Sequence, residues 1–332
     1  MSVKIRILQP KEYAHVTKLL DAEKRFAYLP DAFTTLWSVT PDGIPRALWA
    51  IERANELIGA AGYVVAETDR MLGCIGLIIA PAYRQQGIGG QVYTALLDAL
   101  RRRGVAQMLT QVYAEQVTAA HFLVCRGFAA SSTSIQCQLT VANVSLAAWD
   151  NPDEIVANQG LRFAALDRFP RAGLAERLLP LWNRTRPDQP QAWPFVPYTT
   201  QRLTREMLEP EEIALHHSFA IVTADNQIVA LNLNIQDGQM CATQQLFTIY
   251  SAVDPAFRWR KLATALKLKL IAHAQAHEIT FLAAENDERN QPMWQINQRL
   301  GYQRLADLIS YHKTLDNQTT TTRPKGSREN SE

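Results

Sequence analysis

Apolar residues along the chain switch between the period of a strand and the period of a helix. Residues 71–79 form a continuous apolar run, typical of a strand buried on both faces. Residues 87–103 carry apolar side chains three and four positions apart, which predicts a helix. In the first half, the pattern predicts further strands at residues 4–8, 47–51, 57–66, 108–114 and 134–141, and further helices at residues 11–25 and 117–125.

Two segments of the chain repeat each other. Residues 81–89 (PAYRQQGIG) are similar to residues 255–263 (PAFRWRKLA), at an offset of 174 positions. The dipeptides at 127–128 (GF) and 301–302 (GY) match at the same offset. Two matches in one register predict a tandem duplication. We expect a first module at residues 1–145, a linker at 146–160, a second module at 161–315 and a disordered polar tail at 316–332.

The order of strands and helices predicts the fold class. Each half begins with antiparallel strands and continues with a strand, a helix and a strand, which is the pattern of a parallel βαβ unit. We therefore expect an α/β (mixed α+β) protein of two tandem modules. Each module is predicted to contain a mixed, largely antiparallel sheet with a central parallel βαβ unit and flanking helices.

Composition and charge exclude several classes of protein. The 34 Lys+Arg and 32 Asp+Glu residues give a net charge of +2, which provides no general attraction to nucleic acid or to anionic lipid. The apolar run at residues 72–82 is too short to cross a bilayer, and the first residues lack a secretory signal. We expect a cytoplasmic protein with no nucleic-acid or membrane partner.

The four cysteines show no spacing typical of a metal site. Cys74, Cys125, Cys137 and Cys241 are scattered, and each lies in an apolar segment. We interpret them as reduced core residues and expect no bound metal.

The turn between the buried strand and the helix is rich in glycine. Gly87, Gly89 and Gly90 allow the backbone to approach a ligand closely and to direct consecutive N–H groups toward it. The helix N-terminus behind them adds partial positive charge, so the turn suits a pyrophosphate. The spacing fits neither a nucleoside-triphosphatase loop nor a Rossmann dinucleotide site.

The sequence Arg-x-x-Gly-x-Gly at residues 84–89, with Gly127-Phe128 further on, resembles the acetyl-CoA signature of the GNAT N-acetyltransferase superfamily, in its tandem form. The resemblance implies that acetyl-CoA is the cosubstrate. It implies that loop N–H groups hold the pyrophosphate and that the strand before the loop pairs with the pantetheine arm. Arg84 has the alternative role of capping the loop by binding backbone carbonyls. The cofactor-binding residues implied in this way are Ile78, Ile79, Arg84, Gln85, Gln86, Gly87, Ile88, Gly89, Gly90 and Gln116.

The chain departs from this family at the catalytic positions. In many members a Tyr acts as general acid five residues before the Phe of the Gly-Phe pair, and here that position is Leu123. An Asn usual in the family seven residues earlier is replaced by Gln116. Catalysis by water and proximity is one alternative. The candidate substitutes are Tyr113, Glu115 and His121.

The second half departs differently. Lys261 stands at the position of Gly87, and Trp259 stands at that of Gln85. A Lys261 side chain would fill space that the glycine leaves for phosphate, although its ammonium group is also able to bind a phosphate from the rim. We interpret the second site as impaired. If it is instead the functional one, the catalytic candidates are Tyr250 and Asn297.

Three hypotheses about function follow. The first is an N-acetyltransferase that moves an acetyl group from acetyl-CoA to an amine of a small molecule or peptide by direct attack on the thioester. The second is a non-catalytic acyl-CoA-binding or scaffold protein, favoured by the missing general acid. The third places the active site in the second half. The protein is expected to be a monomer of two pseudo-repeated modules or a homodimer.

Overall fold

One mixed sheet of twelve strands runs through both halves of the protein. In this computed structural model, which describes residues 3–23, 46–65, 71–189, 195–236 and 244–315, the strand order is β1-β2-β3-β4-β5-β12-β6-β11-β10-β9-β8-β7. The strands are β1 (Lys4–Ile7), β2 (Arg46–Arg53), β3 (Glu56–Val65), β4 (Leu72–Ile79), β5 (Gln107–Tyr113), β6 (Ala129–Thr140), β7 (Arg162–Ala165), β8 (Phe219–Val222), β9 (Ile228–Ile235), β10 (Gln245–Val253), β11 (Phe281–Asp287) and β12 (Gln303–Thr314).

Helices cover both faces of this sheet. They are α1 (Tyr13–Glu23), α2 (Ile88–Arg101), α3 (Val117–Val124), α4 (Pro152–Ala157), α5 (Leu174–Thr185), α6 (Thr200–Met207), α7 (Leu262–Ala276) and α8 (Gln291–Leu300). Helix α2 shows why the apolar pattern produces this packing: Val92, Leu96 and Leu100 lie four residues apart on one face and are fully buried.

The predicted fold class is confirmed. In the first half, β4, α2 and β5 form a parallel βαβ unit beside antiparallel strands, and in the second half β10, α7 and β11 repeat it. The two loops that match in sequence occupy the same place in these units, between strand and helix. The structure is therefore a mixed α/β fold that repeats one arrangement twice.

The last strand of each half crosses to the other half. Strand β12 lies between β5 and β6, and β6 pairs in turn with β11. The sequence predicts strands at these places but does not indicate their partners, because pairing depends on contacts between distant residues. The module boundaries at residues 145 and 161 stay a prediction, and the tail at residues 316–332 lies outside the described residues.

The cysteine prediction needs one correction. Cys137 is buried and Cys74 is half-buried, but Cys125 is exposed because it faces outward at the end of α3. Cys241 lies outside the described residues. Within the described ranges no group of three or more His, Cys, Asp or Glu side chains is arranged to hold a metal ion. None of the helices described is long and apolar enough to pass through a membrane.

Candidate active site

A gap opens in the first half where two neighbouring parallel strands diverge. Strands β4 and β5 pair only between residues 72–74 and 107–109, so no described strand pairs with the remainder of β4 on this side. A cavity of about 770 Å³ occupies the gap. Val16 and Ile78 line it from one face of the sheet, and Tyr93 and Leu123 line it from the other. The unpaired edge of β4 is able to hydrogen bond to an extended ligand as a further strand would.

The glycine-rich loop forms one end of this cavity. Gln85 and Gly87 adopt the left-handed conformation, with φ of 58° and 78°, and Gly87 precedes the first residue of α2. The backbone N–H groups of residues 85–89 donate to no acceptor within the described part of the chain. Unpaired N–H groups at a helix N-terminus are a suitable site for an anion. The loop therefore fits the pyrophosphate of a CoA cosubstrate.

Arg84 ties this loop to the strand before it. Its Nε donates to the carbonyl oxygen of Ile79 at 2.7 Å. This geometry agrees with the alternative in which the guanidinium caps the loop. The neighbouring Gln86 side chain turns away from the cavity, because its Oε1 accepts from Arg53 Nη1 at 2.5 Å and its Nε2 donates to Ala82 O at 3.1 Å. Gln86 therefore has its backbone N–H, but not its side chain, available to bind a phosphate.

The second loop has the same backbone shape as the first. Trp259 and Lys261 are left-handed, with φ of 65° and 62°, and Arg258 Nε donates to Val253 O at 3.2 Å as Arg84 does to Ile79. Lys261 Nζ forms an ion pair with Asp150 at 2.8 Å, and Trp259 is 93% exposed. The lysine therefore leaves the backbone conformation of the loop unchanged.

The two halves differ more clearly at the gap between the strands. Gly76 lines the first cavity, whereas the equivalent position in the second half is Tyr250, which is 2% exposed. The Tyr250 ring stacks on Trp182 with centroids 4.1 Å apart, and its hydroxyl hydrogen bonds to Thr185 Oγ1 at 2.7 Å. Burial raises the pKa of this hydroxyl. A packed aromatic side chain thus stands where the first half has a glycine.

Asn297, the other candidate of the second half, is fully buried. Its Nδ2 lies 3.7 Å from Cys137 Sγ, and its Oδ1 has no partner among the described residues. Together with the packed Tyr250, this placement makes the first half the better candidate for an open active site.

The structure brings most of the predicted residues of the first half to one cavity. Gln116 Oε1 accepts from the backbone N–H of Tyr113 at 3.3 Å, which fixes the end of β5. His121 lies on the exposed side of α3, 3.5 Å from Cys125 Sγ, and does not line the cavity. Ile88 is buried beneath the first turn of α2. The predicted residues that do line the cavity are Ile78, Ile79, Arg84, Gln85, Gly87, Gly89, Gly90, Tyr113, Glu115 and Gln116.

Two cavity residues on α3 and just beyond it are not indicated by the sequence. Arg126 Nη2 would lie 3.2 Å from a Cβ added at Gly90, and Phe122 would lie 3.2 Å from one added at Gly89. The guanidinium of Arg126 stacks on the Phe122 ring at 3.5 Å. A cation is therefore held beside the start of α2, where an anionic ligand would benefit from it. In the sequence, the four-residue spacing of Phe122 and Arg126 indicates that the two side chains lie on one side of a helix. It does not indicate that this helix packs beside the glycine-rich loop.

Cys74 also lines the cavity, next to the point where the strands separate. Burial raises the pKa of its thiol to about 11. The thiol is therefore protonated at neutral pH and is a poor nucleophile.

Comparisons with known proteins agree with this arrangement. The model of the acetyltransferase (GNAT) family matches residues 13–128 and 176–302. A GCN5-related N-acetyltransferase from Sphaerobacter thermophilus superposes with a TM-score of 0.69 at 13% identity, covering 94% of this chain and 95% of its own. A tandem GNAT protein from the clavulanic acid biosynthesis pathway, in a form without acetyl-CoA, gives a TM-score of 0.69 at 15% identity. The match covers 94% of this chain and 98% of that protein.

A third similar structure is the glucosamine N-acetyltransferase region of a fungal multi-domain β-N-acetylglucosaminidase. It has a TM-score of 0.72 at 11% identity and covers 94% of this chain and 38% of its own. No curated protein matches the chain. At these identities the structures establish a shared fold and nothing about the acceptor. Because the family model covers most of both halves, the chain belongs to the acetyltransferase (GNAT) family.

Proposed function

We propose that the protein is an N-acetyltransferase that uses acetyl-CoA to acetylate an amine, and that the gap between β4 and β5 is its active site. The observation that carries this proposal is the coincidence of three features in the first half. A loop with unpaired N–H groups, an unpaired strand edge and a cavity of about 770 Å³ adjoin one another. Together they suit the pyrophosphate, the pantetheine arm and the acyl end of one extended ligand.

The chain's own residues have distinct tasks in this proposal. Acetyl-CoA supplies the acetyl group as an activated thioester. The N–H groups of residues 85–89 and the guanidinium of Arg126 bind phosphate charge, and Arg84 keeps the loop in place by its bond to Ile79. The unpaired edge of β4 orients the arm. Orientation of this kind lowers the barrier to direct attack by an amine.

Amide formation also requires two proton transfers. The attacking amine loses a proton as its nitrogen bonds to the acetyl carbon, and the departing sulfur gains one as the carbon–sulfur bond breaks. Leu123 is buried and is unable to donate. Tyr113 and Glu115 both line the cavity at the end of β5 and carry groups that are able to exchange protons. We assign the proton transfers to this pair.

The absence of a general acid at Leu123 favours a second candidate function, the binding of acyl-CoA without turnover. The two are separated by incubating the full chain with acetyl-CoA and a broad panel of primary amines. Thiol release and the acetylated product are then measured together. The proposal predicts amine-dependent thiol release with at least one class of amine. Tight acetyl-CoA binding with no release above the amine-free rate, across the whole panel, would favour the binding function.

A further inference from the structure

The floor of the cavity continues from the first half into the second. Tyr113 pairs with Leu308, Leu308 with Ser134, and Ser134 with Asp287, across β5, β12, β6 and β11. Paired residues of neighbouring strands direct their side chains to the same face of a sheet. The exchange of the last strands thus makes one continuous surface out of residues from both halves. Leu308 and Gln136, which belong to the two central strands, line the cavity of the first half.

Gln136 is an unsatisfied polar residue on this surface. Its side chain is 2% exposed, and its Oε1 has no hydrogen-bond partner among the described residues. A buried amide oxygen without a donor is unfavourable, so such an atom in a cavity wall suggests a donor that arrives with a ligand. Gln136 Nε2 lies 3.5 Å from Glu285 Oε2 on β11, so the two side chains are neighbours on this face.

Glu285 is a carboxylate without a cation. It is exposed on the same face and, within the described ranges, forms no ion pair, whereas Asp287 two residues away pairs with Arg289 at 2.6 Å. Desolvation raises the pKa of the Glu285 carboxyl, and hydrogen bonds from Ser134 and Gln136 only partly oppose this effect. The repeat-equivalent position in the first half is the neutral Gln111, whose Nε2 donates to Ser310 Oγ at 3.3 Å.

We propose that Gln136 and Glu285 form a subsite for a second cationic group of the acceptor, which makes the preferred acceptor an extended molecule with two ammonium groups. This assignment of the acceptor rests on the function proposed above. Glu285 supplies the opposite charge, and Gln136 Oε1 accepts a hydrogen bond from the same ammonium group. Three strand spacings of about 4.8 Å place β11 about 14 Å from β5, where the amine would be acetylated. An extended α,ω-diamine with about ten carbons spans this separation.

The subsite is tested by calorimetry on the full chain loaded with CoA, which forms a complex that does not turn over. The probes are 1,10-diaminodecane and decylamine, which have the same carbon chain and differ in the second ammonium group. The unmodified protein is expected to bind the diamine at least tenfold more tightly. Glu285→Gln is expected to remove that preference, and Gln136→Met to reduce it. The control Glu288→Gln, at an exposed glutamate three residues further on, is expected to retain it.

Equal affinity for the two amines, undetectable binding of the diamine, or a preference that survives in Glu285→Gln would overturn the subsite. The measurement needs no catalysis, so it separates this proposal from the activity. Diamine preference without acetylation of any amine would leave the subsite in place and refute the acetyltransferase. Acetylation of the diamine with a KM that Glu285→Gln does not change would refute the subsite and leave the acetyltransferase in place.

Discussion

Gly87→Asp is expected to weaken acetyl-CoA binding by about 100-fold. Position 87 has a φ of 78°, and a Cβ there would meet no atom of the described residues within 4 Å, so an aspartate fits without displacing any of them. Its carboxylate would face the bound pyrophosphate across the loop. Two like charges about 4 Å apart repel by about 1 to 4 kcal/mol, depending on the local dielectric. The measurement is the Kd for acetyl-CoA by calorimetry.

Gly104→Asp is the matched control for this change. Gly104 has a φ of 72° and lies beyond the other end of α2, and a Cβ added there would also meet no atom within 4 Å in the described ranges. It therefore undergoes the same change in charge and in backbone preference away from the cavity. We expect its affinity for acetyl-CoA to be unchanged. If both variants lose affinity equally, the effect is a general one of charge or stability, and the loop is not the pyrophosphate site.

Tyr113→Phe is expected to lower kcat by about 100-fold and to leave the Kd for acetyl-CoA unchanged. The change removes one hydroxyl from the cavity at the end of β5, and a positioned acid or base typically contributes about 100-fold or more. Glu115→Gln, measured in parallel, tests whether the other residue of the pair takes part in proton transfer. His121→Gln should have no effect, because the ring lies outside the cavity. Full activity in both Tyr113→Phe and Glu115→Gln would show that neither residue transfers the protons.

The sequence predicted the features that depend on a few consecutive residues. The glycine-rich turn depends on the conformations of a few consecutive residues, and Gln85 and Gly87 adopt the left-handed backbone that such a turn requires. The repeat offset aligned position 258 with position 84, and both arginines bond to the strand before the loop.

Features that depend on distant contacts were not predicted. The crossing of β6 and β12 requires knowledge of strand partners, and the surface that joins Gln136 to Glu285 exists only because of it. Arg126 reaches the loop only through the packing of α3 against α2. The offset of 174 places Gly76 opposite Tyr250 in the sequence. Only the structure shows that the Tyr250 ring packs on Trp182 at the position where the first half has a glycine.

Calorimetric titration of the unmodified full chain with acetyl-CoA distinguishes a single site in the first half from other arrangements. Gly87→Asp and Lys261→Asp are the paired variants, because each places a negative side chain in one of the two loops. We expect one acetyl-CoA per chain, with the affinity weakened in Gly87→Asp and unaffected in Lys261→Asp. Two molecules per chain, or a single one that is lost in Lys261→Asp and kept in Gly87→Asp, would show that the acetyl-CoA site is not confined to the first half.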